Sequence, residues 1–341
     1  MFSVANAVPF GYNFHSMKHK RKRTNPISIF LALIILAAGV VFVVALRRGA
    51  APSLVISEET APAETADPVI TPSPSPSPEP TPTPVPLNTE SVIETVEYTT
   101  RDYYSGNPGD IIKQMSVYLP PEYDPDTQYD AVFLMHVLGC DETFWPELGI
   151  KELADSLIAS GSMRPVIIFM PDGYANDDVR GVTGLDDYYV QFGQEFRNDI
   201  IPCVREHYML YETKEHYAFI GASFGAYMTN LSVMADDIDL VGYFGYIGGG
   251  TIHPESLQSQ WANKGLTDTD ILMLYIGEGE FDDIGTVYAS YQQLMYYTSM
   301  FSESNVVFSE IPGVGHEAAE WLTGAAEAMA LFFPVENQGG A

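Results

Sequence analysis

The chain has 341 residues, enough for one large domain with extensions or for two domains. Its formal net charge is −29, unevenly spread: seven of the 16 Lys and Arg precede residue 50, while from Leu87 onward nine basic residues face 40 acidic ones. A domain this acidic repels phosphate, which excludes nucleic acid as a partner, and it disfavours strongly acidic polymers as substrates. Two cysteines, Cys140 and Cys203, form neither a disulfide framework nor a zinc pattern; two unpaired thiols are expected, with one disulfide outside the cytoplasm as the alternative.

Residues 1–26 are polar and carry a basic cluster, Lys18 to Arg23. Ile27 to Leu46 follows, 20 residues without a charge and with Ser28 as the one polar interruption. That length suits a helix crossing a bilayer, and the preceding basic cluster predicts a cytoplasmic N-terminus with the remainder outside the cell. A cleaved signal peptide, with Val43-Val44-Ala45 as the cleavage site and a secreted product, is the competing reading. Residues 47–87 form a linker whose centre, Thr71 to Pro86, alternates proline with small polar residues. Such a stretch favours polyproline II and spans about 50 Å at roughly 3.1 Å per residue.

A folded domain is expected over residues 88–335, with a short tail at 336–341. Ile93 to Thr100, Lys113 to Leu119, Ala131 to Met135, Val166 to Met170, Tyr217 to Ile220, Val241 to Ile247, Ile271 to Ile276 and Val306 to Ile311 read as strands. Helices are expected near 150–160, 190–208 (with Pro202 as a kink), 226–235, 287–300 and 317–333. Strands alternating with helices imply a mostly parallel sheet covered on both faces, an α/β architecture.

The stretch His216 to Ala235 carries the chemistry. An apolar strand runs into Gly221-Ala222-Ser223-Phe224-Gly225 and then into a helix, the setting of a nucleophile elbow in which a serine hydroxyl is exposed on a tight turn. Gly-x-Ser-x-Gly by itself is weak, since any glycine-rich turn produces it. A serine also needs a base, and the base needs an orienting acid, in the chain order Ser, Asp or Glu, His on this scaffold. Downstream of Ser223 the histidines are His253 and His316. His316 stands between the last strand and the last helix and is the expected base. The acid is expected in the loop Gly277 to Asp283, which offers four carboxylates. The oxyanion hole calls for two backbone N–H groups, expected from Phe224 and from Leu138 in the loop after Ala131 to Met135.

The globular part resembles the esterase D and feruloyl esterase group of α/β-hydrolases, the family 1 carbohydrate esterases. Val117 to Asp124 is similar to that group's VYLPPGYD, with Glu122 in place of glycine. His136 to Trp145 resembles HGxGGDExxW, Gly221 to Gly225 resembles GxSxGG with Ala226 in the last position, and Gly315-His316 with Trp321 resembles GGHxxxxW, Val314 replacing the first glycine. Gly277 to Asp282 resembles the GxGxxD acid loop, and this resemblance singles out Asp282 as the acid. The matches run in order from about Ile93 to Phe333. Val137 and Cys140 replace glycines near the oxyanion loop, and a valine cannot readily take positive φ.

The resemblance implies an α/β-hydrolase fold and a serine esterase acting through an acyl-enzyme, with feruloyl or acetyl esters on plant polysaccharide as the substrate class. No metal or cofactor is implied. Trp145, Tyr188, Tyr189 and Tyr246 are aromatics that could line an acyl pocket or simply pack. Two other readings stay open: an acyltransferase acting on a cell-envelope acceptor, as the similar mycolyltransferases do, and an inactive hydrolase-like module that binds the cell wall. The oligomeric state is not legible.

Overall fold

The computed structural model describes residues 89–103, 107–175, 191–249, 252, 254–266, 271–284, 287–297 and 301–335. The apolar run at 27–46, the linker at 47–87, the tail at 336–341, Tyr188, Tyr189 and His253 lie outside them. Among the described residues no helix is long and apolar enough to cross a membrane.

The chain enters its sheet through a hairpin. Strand β1 (Val92–Asp102) pairs antiparallel with β2 (Asn107–Leu119), from Val92 opposite Leu119 to Arg101 opposite Asp110. β2 then pairs antiparallel with β4 (Val166–Pro171). From there the sheet is parallel: β4, β3 (Asp130–Met135), β5 (Tyr217–Ala222), β6 (Tyr243–Ile247), β7 (Met273–Gly279) and β8 (Val306–Ile311) lie side by side in the eight-stranded order β1-β2-β4-β3-β5-β6-β7-β8. Every residue of β3, β4 and β5 is buried. This is why these segments read as unbroken apolar runs rather than as alternating patterns: both faces of a parallel sheet are covered.

Successive residues of each strand serve opposite faces. On one face Phe133 stacks on Phe169 with ring centroids 5.1 Å apart and meets the edge of Phe196 at 4.9 Å. That core extends through Phe219, Ile201, Met234 and Trp261. On the other face Val132, Leu134, Ile168 and Ile220 join Ile150, Ala154, Ala325 and Met329. The helices supplying the second core are α1 (Phe144–Leu148), α2 (Ile150–Ala159) and α9 (Ala318–Phe332). The first face is served by α3 (Phe192–Glu195), α4 (Ile201–His207), α5 (Phe224–Met228), α6 (Met234–Asp236), α7 (Pro254–Lys264) and α8 (Val287–Tyr297).

Two expected helices are not regular. Between α3 and α4 the chain takes a π turn, Phe196–Ile200. Pro202 lacks an N–H and its ring crowds the carbonyl four residues earlier, so the ladder re-spaces just before it. A second π turn, Thr229–Val233, joins α5 to α6. There the Thr229 hydroxyl donates to the Gly225 carbonyl at 3.0 Å, competing with the helix's own bonds. Helices α1 and α7 were not anticipated. The first is too short to show a period, and the second is mostly polar, burying Pro254, Leu257 and Trp261.

The parallel strands all end at one edge of the sheet. The loops after β3, β5, β7 and β8 therefore meet there, where open α/β sheets place their ligands.

Candidate active site

Ser223 sits where β5 hands over to α5. Its φ of 53° and ψ of −113° fall outside the regions open to ordinary L-residues, a strain of about 1–3 kcal/mol that the surroundings must hold. Two contacts hold it. The Ser223 N–H donates to the Ile247 carbonyl at 2.8 Å, tying the turn to the end of β6. The flanking glycines let three backbones pass: a Cβ on Gly225 would lie 2.5 Å from the Met135 carbonyl oxygen and 2.6 Å from that of His136, at the end of β3. The motif's glycines are thus demanded by strand, turn and helix crossing at one point.

The loop after β8 brings His316 over this elbow. His316 Nε2 lies 2.8 Å from Ser223 Oγ. Its Nδ1 lies 3.0 Å from Asp282 Oδ2, in the loop after β7. The two loops are stitched together: Phe281 N–H donates to the Val314 carbonyl at 2.8 Å, and Gly313 N–H donates to Glu280 Oε2 at 2.8 Å. The Asp282 side chain is fully buried, and its Oδ1 accepts the Ile284 N–H at 2.8 Å, so one oxygen is fixed and the other faces the imidazole. Of the other carboxylates in the loop, Glu280 is spent on Gly313, and Glu278 accepts the Tyr288 N–H at 3.1 Å. Ser223, His316 and Asp282 form a hydrogen-bonded line through which a hydroxyl proton can pass to an oriented imidazole. Trp321, the aromatic of the histidine motif, packs edge-on against His316 with centroids 5.4 Å apart and is backed by Phe144 at 5.8 Å.

The loop after β3 is equally well fastened. His136 is buried; its Nδ1 bonds to the Val137 carbonyl at 2.9 Å and its Nε2 accepts the Gly173 N–H at 2.9 Å. Gly139 N–H donates to the Tyr174 hydroxyl at 2.7 Å. The left-handed position of this loop is Gly139, with φ of 80°. Among the described residues, positive φ on a non-glycine occurs at Glu122 and Ser223, so Val137 keeps an ordinary backbone and the steric objection to it does not arise. Leu138 lies in this loop with 37% of its surface exposed, and Phe224 opens α5 directly after the elbow. A first-turn N–H has no acceptor within its own helix.

The aromatics divide. Trp145 and Tyr246 are fully buried in the two cores and line no acyl pocket; their rings fill space between sheet and helices.

Residues 112–243 match the Esterase family, a span running from β2 into the start of β6. The chain's likeness is to the esterases. Over 212 residues it is 28% identical to an endo-1,4-beta-xylanase/feruloyl esterase of Xylanibacter ruminicola, covering 60% of this chain and 27% of that protein. It spans about a quarter of the length of the curated relatives it matches. In fold it is similar to the feruloyl esterase module of Clostridium thermocellum solved with sinapinate: TM-score 0.59, 22% identity, 76% of this chain and 92% of that one. A ferulic acid esterase of Anaeromyces mucronatus solved with ferulic acid gives a TM-score of 0.57 at 21% identity, covering 73% and 95%. At such identities these structures speak to the fold, and the family match adds a similarity to esterases over residues 112–243.

One group beside this esterase-like site was not foreseen. Glu320, in the first turn of α9, is fully buried, and its Oε2 lies 3.6 Å from His316 Nδ1. The signal available was spacing: an acid four residues after the expected base, where a helix start brings i and i+4 together.

Proposed function

We propose that this chain is a serine esterase that hydrolyses carboxylic esters through an acyl-enzyme. Its substrate class would be feruloyl or acetyl esters on plant polysaccharide. The observation that carries the reading is the 2.8 Å contact of Ser223 Oγ with His316 Nε2 at a strained turn, with Asp282 on the far side of the imidazole.

In this mechanism Ser223 Oγ attacks the ester carbonyl carbon as its proton passes to His316 Nε2. Asp282 holds Nδ1–H and stabilises the imidazolium. The backbone N–H groups of Phe224 and Leu138 receive the tetrahedral oxyanion. The intermediate collapses, His316 returns the proton to the departing alcohol, and the acyl group stays on Ser223. Water, deprotonated by His316, then releases the free acid. No step calls on a metal or cofactor.

The substrate class rests on the relatives named for feruloyl esterase activity, together with the family motifs in this chain. We place the esterase domain at residues 88–335, outside the cell, behind a membrane anchor at 27–46 and a proline-rich spacer. The uncharged 20-residue run and the basic cluster before it support that placement.

The test uses the full chain on p-nitrophenyl acetate and methyl ferulate, beside Ser223→Ala. Turnover that drops by about 10⁴-fold or more in the variant is expected. Equal turnover in both would overturn the serine reading. Product analysis separates hydrolysis, which yields free acid, from acyl transfer, which yields an acylated acceptor. Membrane fractionation of expressing cells tests the anchor.

A further inference from the structure

Two buried carboxyl groups face one imidazole at this site, and a Ser-His-Asp line uses only one of them. Asp282 and Glu320 both have fully buried side chains. His316 Nδ1 lies 3.0 Å from Asp282 Oδ2 and 3.6 Å from Glu320 Oε2, and one carboxyl oxygen of each acid and a ring nitrogen of His316 all lie within 4.8 Å of one another. Glu320 Oε1 accepts the Gly279 N–H at 2.8 Å, whereas Oε2 is buried and accepts a hydrogen bond from no donor among the described residues.

The backbone is shaped around this carboxyl. Gly248, at the end of β6, has φ of 54°, and a Cβ there would fall 2.8 Å from Glu320 Oε2 and 2.9 Å from Oε1. Its N–H donates to the Gly277 carbonyl at 2.9 Å, which fixes it against β7. The carboxyl therefore sits in a slot bounded by Gly248, Gly279, Asp282 and His316.

We propose that Glu320 is a positioning residue for the Ser223–His316–Asp282 line: it holds a proton on Oε2, directs it at the Asp282 carboxylate, and so fixes Asp282 against His316 Nδ1. This inference rests on the serine esterase reading and deepens it. The charge balance requires such a proton. Two ionised carboxylates at this separation, out of water, would repel each other, and one retained proton turns that repulsion into a hydrogen bond. Oε2 then has a role as donor, which accounts for its lack of an incoming bond.

The groups that face Glu320 act in the same direction. Burial favours its neutral form first, and the negative charges of Asp282 and of Glu278 on β7 add to this against the single Gly279 N–H, raising its pKa to about 8. Among the described residues the Tyr275 phenol on β7 and His316 also face it. In catalysis the Ser223 proton moves to His316 while the Glu320 proton stays in place. The cluster then passes from one net negative charge to none. With Glu320 ionised it would start from two, and Asp282 would be pushed from Nδ1.

The experiment compares the full chain with Glu320→Gln and Glu320→Ala on p-nitrophenyl acetate from mildly acidic to alkaline pH, with Ser223→Ala alongside. Glu320→Ala is expected to lose about tenfold in kcat with KM unchanged, as a misplaced base does. Glu320→Gln, whose amide can donate to Asp282, is expected to restore most of that loss. The wild-type kcat is expected to decline on the alkaline side as Glu320 gives up its proton, and the Gln variant to stay level there. A Gln variant as impaired as the Ala variant, or the same alkaline decline in wild type and Gln, overturns the proposal; so does an Ala variant as fast as wild type. If Glu320→Ala does not fold, the comparison of wild type with the isosteric Gln variant still decides. Activity that survives in Ser223→Ala instead sinks the serine esterase reading itself.

Discussion

Gly221 and Gly225 are in backbone contact across the serine turn: a Cβ on Gly221 would lie 2.0 Å from the Gly225 carbonyl oxygen and 2.2 Å from its carbonyl carbon. The last residues of β5 and the first of α5 pass each other with no room for a methyl group. Gly221→Ala must therefore move backbone rather than a side chain. Overpacking against a rigid neighbour costs about 1–3 kcal/mol, and here the cost falls at the upper end or beyond it. We expect Gly221→Ala to melt well below wild type and to lose activity with the turn. Unchanged melting would mean that strand and helix are not held in this contact.

Asp282 should matter for rate rather than affinity. Its Oδ2 holds His316 Nδ1 at 3.0 Å. Asparagine in its place can present an N–H to the imidazole and favour the wrong tautomer, an exchange that costs about 10⁴-fold in kcat in a serine hydrolase. Asp282→Asn is expected to lose about 10³- to 10⁴-fold in kcat with KM little changed, in steady-state assays on p-nitrophenyl acetate. A loss under tenfold would assign the orienting role elsewhere, with Glu320 the first alternative.

The oxyanion role proposed for Leu138 belongs to its backbone, which separates two substitutions. Leu138→Ala keeps the N–H and should leave kcat within about threefold of wild type. Leu138→Pro removes the N–H, and deleting one oxyanion donor costs about 10²- to 10³-fold. If circular dichroism shows both variants folded and both keep their rate, the second donor lies elsewhere in the loop.

Glu122 marks a place where the sequence departs from its relatives' pattern without the backbone following. It stands where the similar motif has glycine, and its φ is 58°. A left-handed non-glycine residue carries about 1–2 kcal/mol of strain, and glycine gives back part of the gain through chain entropy. Glu122→Gly should therefore stabilise the domain by about 0.5–1 kcal/mol, read from a denaturant midpoint with unchanged slope. Destabilisation would show that the Glu122 side chain contributes more than its backbone costs.

Asp237 supplies a pH dependence of stability. Burial raises its carboxyl from 3.8 to about 7, with Asp236 and Asp239 adding to the rise and Arg197, which donates to it at 2.7 Å, opposing it. A carboxyl raised in the folded state binds its proton more tightly there than in the unfolded chain. Its stabilising contribution is complete below about pH 4 and is lost as pH climbs to about 7. The stability of Asp237→Asn relative to wild type should rise across that window and level off above it, measured by urea unfolding at several pH values. A difference that stays flat across the window would mean Asp237 titrates normally.

The strands and the elbow were legible because their signals are local. Unbroken apolar runs such as Val166 to Met170, interleaved with helical periods along the chain, point to a parallel α/β order with little help from elsewhere. Glycines flanking Ser223 announce a crossing that only glycine permits. The sequence also pointed to the loop Gly277 to Asp283 for a candidate acid, and the family motifs singled out Asp282 as the candidate, because chain order on this scaffold is constrained. The rest was decided in three dimensions. Among four carboxylates in one loop, the stitching of Phe281 to Val314 and Glu280 to Gly313 turns Asp282 toward His316. Trp145 and Tyr246 are core rather than pocket because their strand and helix faces point inward, which aromatic composition cannot express. Glu320 was hard to single out: beyond its spacing of four residues from His316, in sequence it is one acid among 45. Only the folding of α9 against β7 takes it out of water, beside a second carboxyl and an imidazole, where its proton acquires a role.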